Sequence, residues 1–249
     1  MPDTGDVAVI IPARDEADRI RATVRGAAGI PGADLLVVVD DGSRDGTAAA
    51  AESAGAIVLR HPRSMGKGAA MESGAEAVRL LERTQRRASP RHLLFLDGDL
   101  ADSAAEAGAL VEPVRAGLAD MTIAVFTNRV RAGGHGFVVA LSGSGIRRAT
   151  GWAPAQPLNG QRCLTRAAFE AARPLAAGWG VETGLTIDVL RSGLRVQEVE
   201  VPMSHRATGN DWQAQWHRAR QFAGVALVLA AREPPVQRAT QGLRRRPAG

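Results

Sequence analysis

Short apolar runs alternate with stretches of helical spacing along the first hundred residues. Residues 7–11, 35–39 and 92–96 are nearly continuous apolar runs, which is typical of parallel strands buried on both faces. Between them, residues 15–28 and 65–87 carry apolar side chains at helical spacing, which predicts amphipathic helices. A short helix at residues 47–53 and a strand at residues 56–59 complete the pattern. The alternation predicts an α/β fold, with a mostly parallel sheet that has helices on both faces.

Patterning is weaker in the second half of the chain. Residues 128–161 are rich in Gly, Ser and Arg, which predicts a long functional loop with a short helix near residues 141–150. Helices are expected at residues 183–191 and 211–231, and a strand at residues 196–201. No linker divides the chain, so we expect a single domain.

Composition agrees with an ordinary globular protein. The 249 residues are 45% apolar and 23% charged, close to the averages for such domains. The single cysteine, Cys163, excludes an intrachain disulfide and a cysteine-based zinc cluster, which fits a reducing cytoplasm. Residues 1–16 do not resemble a signal peptide, and the longest apolar stretch, residues 225–231, is too short to span a bilayer. We therefore expect a cytoplasmic protein without a transmembrane segment.

The charge balance bears on possible partners. The formal charge is +5, only 4% of the residues are aromatic, and tyrosine is absent. Aromatic platforms for base stacking are therefore scarce, and nucleic acid is not an expected partner. The basic charge is instead available for phosphates or for an anionic membrane surface, so peripheral membrane attachment stays open.

Paired carboxylates follow the predicted strand at residues 92–96. Asp97 and Asp99 flank Gly98, which is small enough for close backbone approach to a ligand. Carboxylate oxygens suit Mg²⁺ or Mn²⁺ bridging phosphate oxygens. A bare pair of aspartates is more often a solvated loop, but ligands of open α/β sheets bind beyond the carboxyl ends of strands. The position therefore favours a metal site.

Two further polar clusters follow predicted strands. Asp40 and Asp41 can accept hydrogen bonds from ribose hydroxyls or base N–H groups, whereas helix capping alone would explain Asp45 and Thr47. Residues 12–16, Pro-Ala-Arg-Asp-Glu, place a cation among carboxylates and could hold a pyrophosphate, or they could simply be the acidic start of a helix.

A lysine between two glycines begins the helix predicted at residues 65–87. Gly66 and Gly68 allow backbone approach to a phosphate and Lys67 supplies a point charge. The spacing is not that of a Walker A loop. ATP hydrolysis by a P-loop is therefore not expected.

The order and spacing of these clusters resemble a known enzyme family. The series IIPARDE, VVDDGSRDGT, GKGAA and FLDGD is similar to the family 2 glycosyltransferases, which have the GT-A (Rossmann-like) fold. The segments QPLNGQRCLTRAAFE, GWGVETGLTIDVL and VPMSHR look most like the retaining enzymes of family 81, the glucosyl- and mannosyl-3-phosphoglycerate synthases. The resemblance runs over about residues 7–222.

The resemblance implies an organisation of the chain. A GT-A domain would cover residues 1–232, with a nucleotide-sugar-binding half at residues 1–127 and an acceptor-binding half at residues 128–232. Composition alone predicts that residues 233–249, with three consecutive arginines at 244–246, form a basic, disordered tail. A homodimer is compatible with this organisation.

The resemblance also implies roles for matching residues. Asp99 and His205 would ligate Mg²⁺ or Mn²⁺, although an isolated histidine is more often structural. Glu182 and Asp99 would be catalytic, with Glu182 orienting the transferred sugar in a retaining enzyme. In an inverting enzyme Glu182 or Asp188 would be the general base. Substrate contacts are implied for Pro12, Ala13, Arg14, Glu16, Asp40, Asp41, Lys67, Asp97, Gly98, Trp179, Gly180, Val181 and Arg206.

Two departures from family 81 leave the acceptor open. Residues 134–139 read Gly-His-Gly-Phe-Val-Val where those enzymes carry a Gly-Arg-Val-Thr type segment. An asparagine directly after Arg206 is also missing. An arginine and a threonine suited to a phosphorylated acid are therefore absent from the expected places.

We expect a metal-dependent hexosyltransferase that uses a UDP or GDP sugar, with UDP-glucose favoured. Its acceptor would be a small hydroxylated molecule, with or without a phosphate, and the anomeric configuration would be retained. One alternative is an inverting polyprenyl-phosphate glycosyltransferase, with Trp212, Trp216 and Phe222 at a membrane interface, although core packing also explains that stripe.

Other functional classes fit less well. A sugar-phosphate nucleotidyltransferase also uses paired aspartates on a metal, but it carries a glycine-rich loop where this chain has PARDE. A membrane-attached or DNA-binding regulatory module would leave the carboxylate series unexplained.

Overall fold

Seven strands form one mixed sheet in the computed structural model, which describes residues 6–127, 136–203 and 212–232. The strands are β1 (Val7–Ala13), β2 (Ala33–Asp40), β3 (Ile57–Arg60), β4 (His92–Phe95), β5 (Met121–Phe126), β6 (Arg162–Leu164) and β7 (Val196–Val201). Their order across the sheet is β3-β2-β1-β4-β6-β5-β7. Only β6 runs antiparallel to its neighbours, β4 and β5. The prediction of a mostly parallel α/β sheet is confirmed.

Helices cover both faces of the sheet. The α-helices are α1 (Ile20–Ala28), α2 (Thr47–Ser53), α3 (Lys67–Thr84), α4 (Val111–Arg115), α5 (Gly136–Thr150), α6 (Arg166–Ala171), α7 (Val181–Arg191) and α8 (Trp212–Ala231). Two segments, Ala101–Leu110 and Gly178–Gly180, are 3-10 helices. Within the described residues, no helix combines the length and the apolar character that crossing a bilayer requires.

The central strand β1 explains why the fold has two apolar layers. Val7, Val9 and Ile11 point to one face, where they join a cluster with α1, α2, α4 and the first 3-10 helix. Ala8 and Ile10 point to the other face and join α3, α6 and α7. All five side chains are fully buried, as the continuous apolar run predicts for a central parallel strand.

Helix α1 begins later than predicted. Spacing predicts a start at residue 15, but the helix begins at Ile20. The backbone N–H groups of residues 15–17 are held by side chains of the loop between β2 and α2 and of the first residue of α2. Their acceptors are Ser43 Oγ (3.0 Å), Thr47 Oγ1 (2.9 Å) and Asp45 Oδ2 (3.2 Å). The loop after β1 is therefore fixed to the loop after β2, and this contact replaces a first helical turn.

Helix α5 is longer than the short helix predicted near residues 141–150. Small residues give this segment the composition of a loop, but they serve close packing between helices. Ser142 Oγ lies 2.7 Å from Thr183 Oγ1 of α7. At Gly145, an added Cβ would come within 2.3 Å of Leu229 on α8. Residues 136–150 of the predicted loop are therefore helical, and small residues in this helix allow close contact with α7 and α8.

Candidate active site

The candidate site lies at the carboxyl ends of β1, β2 and β4. Parallel strands bring their carboxyl ends to the same edge of a sheet, so residues 12–16, 40–46 and 97–99 gather there. Two backbone contacts show that the ends of β1 and β2 are close together. Ala13 pairs with Asp40 across β1 and β2, and the N–H of Asp41 donates to the carbonyl of Ala13 (2.9 Å).

Lys67 joins the two halves of the chain at this edge. Its Nζ lies 2.6 Å from Asp97 Oδ1 and 2.8 Å from Glu182 Oε1. Lys67 is the first residue of α3, and Glu182 lies in the first turn of α7. Burial would lower the pKa of Lys67, but the two carboxylates outweigh that effect and raise the pKa above its ordinary value. The ammonium is therefore charged at neutral pH and holds both carboxylates.

A loop before β6 closes around this ion pair. The side-chain amide of Gln161 donates to Asp97 Oδ2 (2.8 Å). A Cβ added at Gly160 would lie 2.4 Å from Lys67 Nζ and 2.8 and 2.9 Å from the Asp97 carboxylate oxygens. Only glycine fits at this position without displacing the pair. Neither Gly160 nor Gln161 was a candidate from the sequence, since both lie in the segment interpreted as a loop.

The segment Asp97-Gly98-Asp99 is fixed against β1 and α1. A Cβ at Gly98 would lie 3.1 Å from Ala13 Cβ, so the glycine allows this loop to pack closely against the end of β1. The Gly98 carbonyl accepts from Thr23 Oγ1 (2.9 Å), and the Asp99 carbonyl accepts from Arg19 Nη1 (3.1 Å). The two carboxylates therefore project from a firmly held loop.

The carboxylates of Asp97 and Asp99 are the kind of ligand that a hard divalent cation prefers, but two carboxylates are only part of a full set of ligands. Carboxylate oxygens are ligands of Mg²⁺ and Mn²⁺, and the Asp97 carboxylate is already engaged by Lys67 and Gln161. No group of three His, Cys, Asp or Glu side chains that could hold a metal occurs among the described residues. The predicted ligand His205 and the predicted contact Arg206 lie outside those residues.

Asp41 anchors a neighbouring loop. Its carboxylate accepts from the N–H groups of Met65 (2.7 Å) and Gly66 (2.9 Å), from Ser64 Oγ (2.8 Å), and contacts His61 Nδ1 (2.7 Å). Burial would raise the pKa of Asp41, but these hydrogen bonds outweigh it and lower the pKa below its ordinary value. The predicted contact with a base or ribose therefore competes with four existing partners.

An electropositive cavity of about 590 Å³ opens beside Asp40 and Asp41. Its lining includes four arginines, Arg14, Arg44, Arg60 and Arg63, together with His61. Asp40 lies beneath it, almost fully buried, and accepts from the Ser43 N–H (2.8 Å). Of the four arginines, only Arg14 was predicted from the sequence, because an isolated arginine in a loop or at a strand end carries no local signal.

The predicted sugar-contact segment precedes α7. Trp179 and Gly180 belong to the 3-10 helix, and residue Trp179 is 42% exposed. Val181 is buried in the layer with α3, so its side chain serves the core. Glu182 therefore lies in the first turn of α7, between the partly exposed Trp179 and the buried part of the helix.

Comparison with known proteins decides the family. The sequence profile of glycosyl transferase family 2 matches residues 8–143, more than half of the chain. The chain belongs to glycosyl transferase family 2. It is an enzyme of the glycosyltransferase class, and the resemblance identified in the sequence is confirmed.

Individual relatives extend the likeness over most of the chain. Glycosyltransferase AglJ of Haloferax volcanii is 29% identical over 223 residues, which cover 85% of this chain and 67% of AglJ. Glucosyl-3-phosphoglycerate synthase from Mycobacterium tuberculosis, in complex with phosphoglyceric acid, is similar with a TM-score of 0.69 and 25% identity, over 92% of this chain and 80% of that one. The same enzyme with Mn²⁺, UDP-glucose and phosphoglyceric acid gives 0.67 and 25%, over 91% and 80%. The GT-A fold is thereby confirmed.

Proposed function

We propose that this glycosyltransferase moves a hexose from a nucleotide-diphosphate sugar, with UDP-glucose favoured, to a small hydroxylated acceptor. The observation that carries the proposal is the bridge from Asp97 through Lys67 to Glu182, at the sheet edge where Asp99 and the arginine-lined cavity also lie. The likeness to an enzyme crystallised with Mn²⁺ and UDP-glucose supports this donor and a divalent cation.

The first half of the chain, residues 1–127, binds the nucleotide-sugar donor. The arginine-lined cavity suits the nucleotide and its diphosphate, since guanidinium groups pair well with phosphate oxygens. Arg14, at the end of β1, faces that cavity. The remaining contacts assigned to the donor are those of Pro12, Ala13, Glu16, Asp40, Asp41 and Gly98.

Asp99 is the proposed carboxylate ligand of Mg²⁺ or Mn²⁺, with His205 as its partner from the second half. When bound, the cation neutralises the negative charge that develops on the departing nucleotide diphosphate. Arg14 and Lys67 add positive charge on the protein side. Asp97 holds Lys67 in place and reaches the ribose or a water molecule.

Glu182 orients the hydroxyls of the transferred sugar, together with Trp179, Gly180 and Val181. Its Oε1 is already engaged by the Lys67 ammonium, which favours an orienting role over that of a general base. In the retaining reaction, the bond from the anomeric carbon to the diphosphate breaks and the bond to the acceptor oxygen forms on the same face. The acceptor proton passes to the leaving phosphate oxygen.

Acceptor binding falls to residues 128–232, where Arg206 is the proposed contact for a phosphate on the acceptor. An alternative acceptor is a polyprenyl phosphate at a membrane surface. The exposed apolar side chains of α8 favour that alternative, since Phe222 is 46% and Leu227 72% exposed. Transfer of sugar to vesicles containing polyprenyl phosphate, and not to water-soluble phosphorylated acids, would establish it.

A thermal-shift screen of UDP, GDP and dTDP sugars, each with and without Mn²⁺, tests the donor. A ligand at a hundred times its Kd stabilises the folded state by about 2.7 kcal/mol, and we expect this effect for UDP-glucose with Mn²⁺. If no nucleotide sugar stabilises the protein in the presence of metal, the proposed function is wrong. Nuclear magnetic resonance of the product's anomeric centre then tests retention, and an inverted linkage would contradict it.

A further inference from the structure

Arg162 is a charged residue in the interior of the sheet. It is the first residue of β6 and is fully buried. Its guanidinium donates four hydrogen bonds, to acceptors in two separate segments. They run from Nε to the Asn159 carbonyl (2.9 Å), from Nη1 to the Glu182 carbonyl (3.0 Å) and Thr186 Oγ1 (2.7 Å), and from Nη2 to the Pro157 carbonyl (3.2 Å).

Such a residue is costly to bury. A desolvated charge destabilises the fold unless hydrogen bonds compensate for it, and an apolar side chain of similar size is often at least as stable. Burial lowers the pKa of Arg162 to about 10, although Glu182 and Asp97 oppose this effect. The guanidinium is therefore still charged at neutral pH.

Both segments carry residues of the candidate site. The loop at residues 157–161 ends in Gly160 and Gln161, which contact Lys67 and Asp97. The first turn of α7 carries Glu182, whose carbonyl accepts from Arg162 and also from the Thr186 hydroxyl (2.8 Å). One guanidinium thus fixes the backbone on both sides of the ion pair that Lys67 makes.

The charges around this point also balance. Lys67 and Arg162 supply two positive charges, and Asp97 and Glu182 supply two negative charges. Loss of the Arg162 charge would leave the buried Glu182, whose side chain is only 11% exposed, with less compensation.

We propose that Arg162 is a positioning residue for glycosyl transfer, which sets the placement of Glu182 and of residues 157–161 relative to Lys67. The proposal rests on the function proposed above. Arg162 touches neither the donor nor the acceptor and acts through the backbone of these two segments.

The test is a double-mutant cycle on Arg162→Lys and Glu182→Gln. The measured quantities are kcat and KM for release of UDP from UDP-glucose with Mn²⁺. Arg162→Lys keeps the charge and removes the planar fork. A displacement of about 1 Å in a site can lower turnover about a hundredfold, so we expect a loss of that order in kcat and a change of less than about threefold in KM. In the Glu182→Gln background, Arg162→Lys should cause a smaller loss, because only its effect through residues 157–161 remains.

Arg166→Lys is the matched control. Arg166 is also largely buried, but it pairs with Glu82 (3.0 and 3.1 Å) between α6 and α3. Arg166→Lys should reduce stability and leave kcat and KM unchanged. If Arg162→Lys lowers kcat equally in both Glu182 backgrounds, or lowers it no more than Arg166→Lys does, Arg162 is merely structural.

Hydrogen exchange provides a readout that needs no activity. In Arg162→Lys, exchange should become faster at residues 157–161 and 181–186 and stay unchanged elsewhere, whereas an even increase over the chain would overturn the proposal. Thr186→Val, which removes one acceptor of Arg162, should give the same local pattern if Arg162→Lys does not fold. Failure of the wild-type protein to release UDP from any nucleotide sugar would refute the proposed function. Hydrogen exchange would still test whether Arg162 fixes residues 157–161 and 181–186.

Discussion

Replacing Gly160 by alanine tests how closely the loop at residues 157–161 is fitted around the ion pair. The new Cβ would lie 2.4 Å from Lys67 Nζ and 2.8 and 2.9 Å from the two Asp97 carboxylate oxygens. An ordinary contact begins at 3.4 Å, so the ammonium would have to move by about 1 Å or the loop would have to shift. Movement of the ammonium strains the 2.6 Å contact between Lys67 and Asp97, and a shift of the loop instead disturbs the hydrogen bond from Gln161 to Asp97.

The expected cost follows from that contact. The Lys67 side chain is 28% exposed, so the pair is partly solvated, and a hydrogen bond between charged groups in such a place is worth about 1.5–3 kcal/mol. In a protein of this size 1 kcal/mol corresponds to about 2–4 °C in Tm, and a loss of 2 kcal/mol would lower Tm by about 4–8 °C. A displacement of about 1 Å in the site should lower kcat about a hundredfold.

Differential scanning calorimetry and UDP release from UDP-glucose with Mn²⁺ measure both effects. Gly143→Ala is the control, because an added Cβ there meets nothing nearer than Pro157 Cγ at 3.9 Å. This control lies within α5 and should stabilise the helix by up to about 1 kcal/mol. A Gly160→Ala protein with wild-type Tm and wild-type kcat would refute the close fit described here.

Three further variants probe neighbouring parts of the site. Lys67→Met should leave Asp97 and Glu182 without their shared cation and weaken binding of the donor, as isothermal titration with UDP-glucose and Mn²⁺ would detect; unchanged affinity would contradict the role of Lys67. Trp179→Ala should raise KM for the donor sugar, and an unchanged KM would remove Trp179 from the donor site. Asp41→Asn should cost about 2–3 kcal/mol in urea unfolding at pH 7, because its hydrogen bonds are buried. The pKa of Asp41 is lowered from 3.8 by folding, so its contribution is complete above about pH 4 and is lost as the pH falls through the folded-state pKa. The wild type and Asp41→Asn should therefore converge in stability in acid, and a constant difference from pH 7 to pH 2 would contradict this.

The elements that the sequence predicted well are those whose pattern is set by burial alone. Strands β1, β2 and β4 are continuous apolar runs, and their polar ends mark the edge of the sheet. The same logic placed Asp40 and Asp97 correctly at that edge. Parallel strands impose this arrangement whatever the ligand, so the sequence is a good guide there.

Tertiary contacts decided what the sequence could not predict. Strand β6 has three residues and begins with a buried arginine, which no hydrophobic pattern would place inside a sheet. Helix α5 resembles a loop in composition because Ser142 and Gly145 serve contacts with other helices. Lys67 was expected near the donor, but its contact with Glu182 joins residues 115 positions apart, and spacing carries no information about such a pair.

The central claim, that Asp99 holds the cation that serves a nucleotide-sugar donor, is tested most directly by titrating UDP-glucose into the protein with and without Mn²⁺. Wild-type protein should bind with Mn²⁺ and lose most of its affinity without it, and Asp99→Asn should bind weakly in both conditions. Asp102→Asn removes an exposed carboxylate three residues further along and should behave as the wild type does. Binding that is independent of Mn²⁺, or equally strong in Asp99→Asn, would contradict the claim.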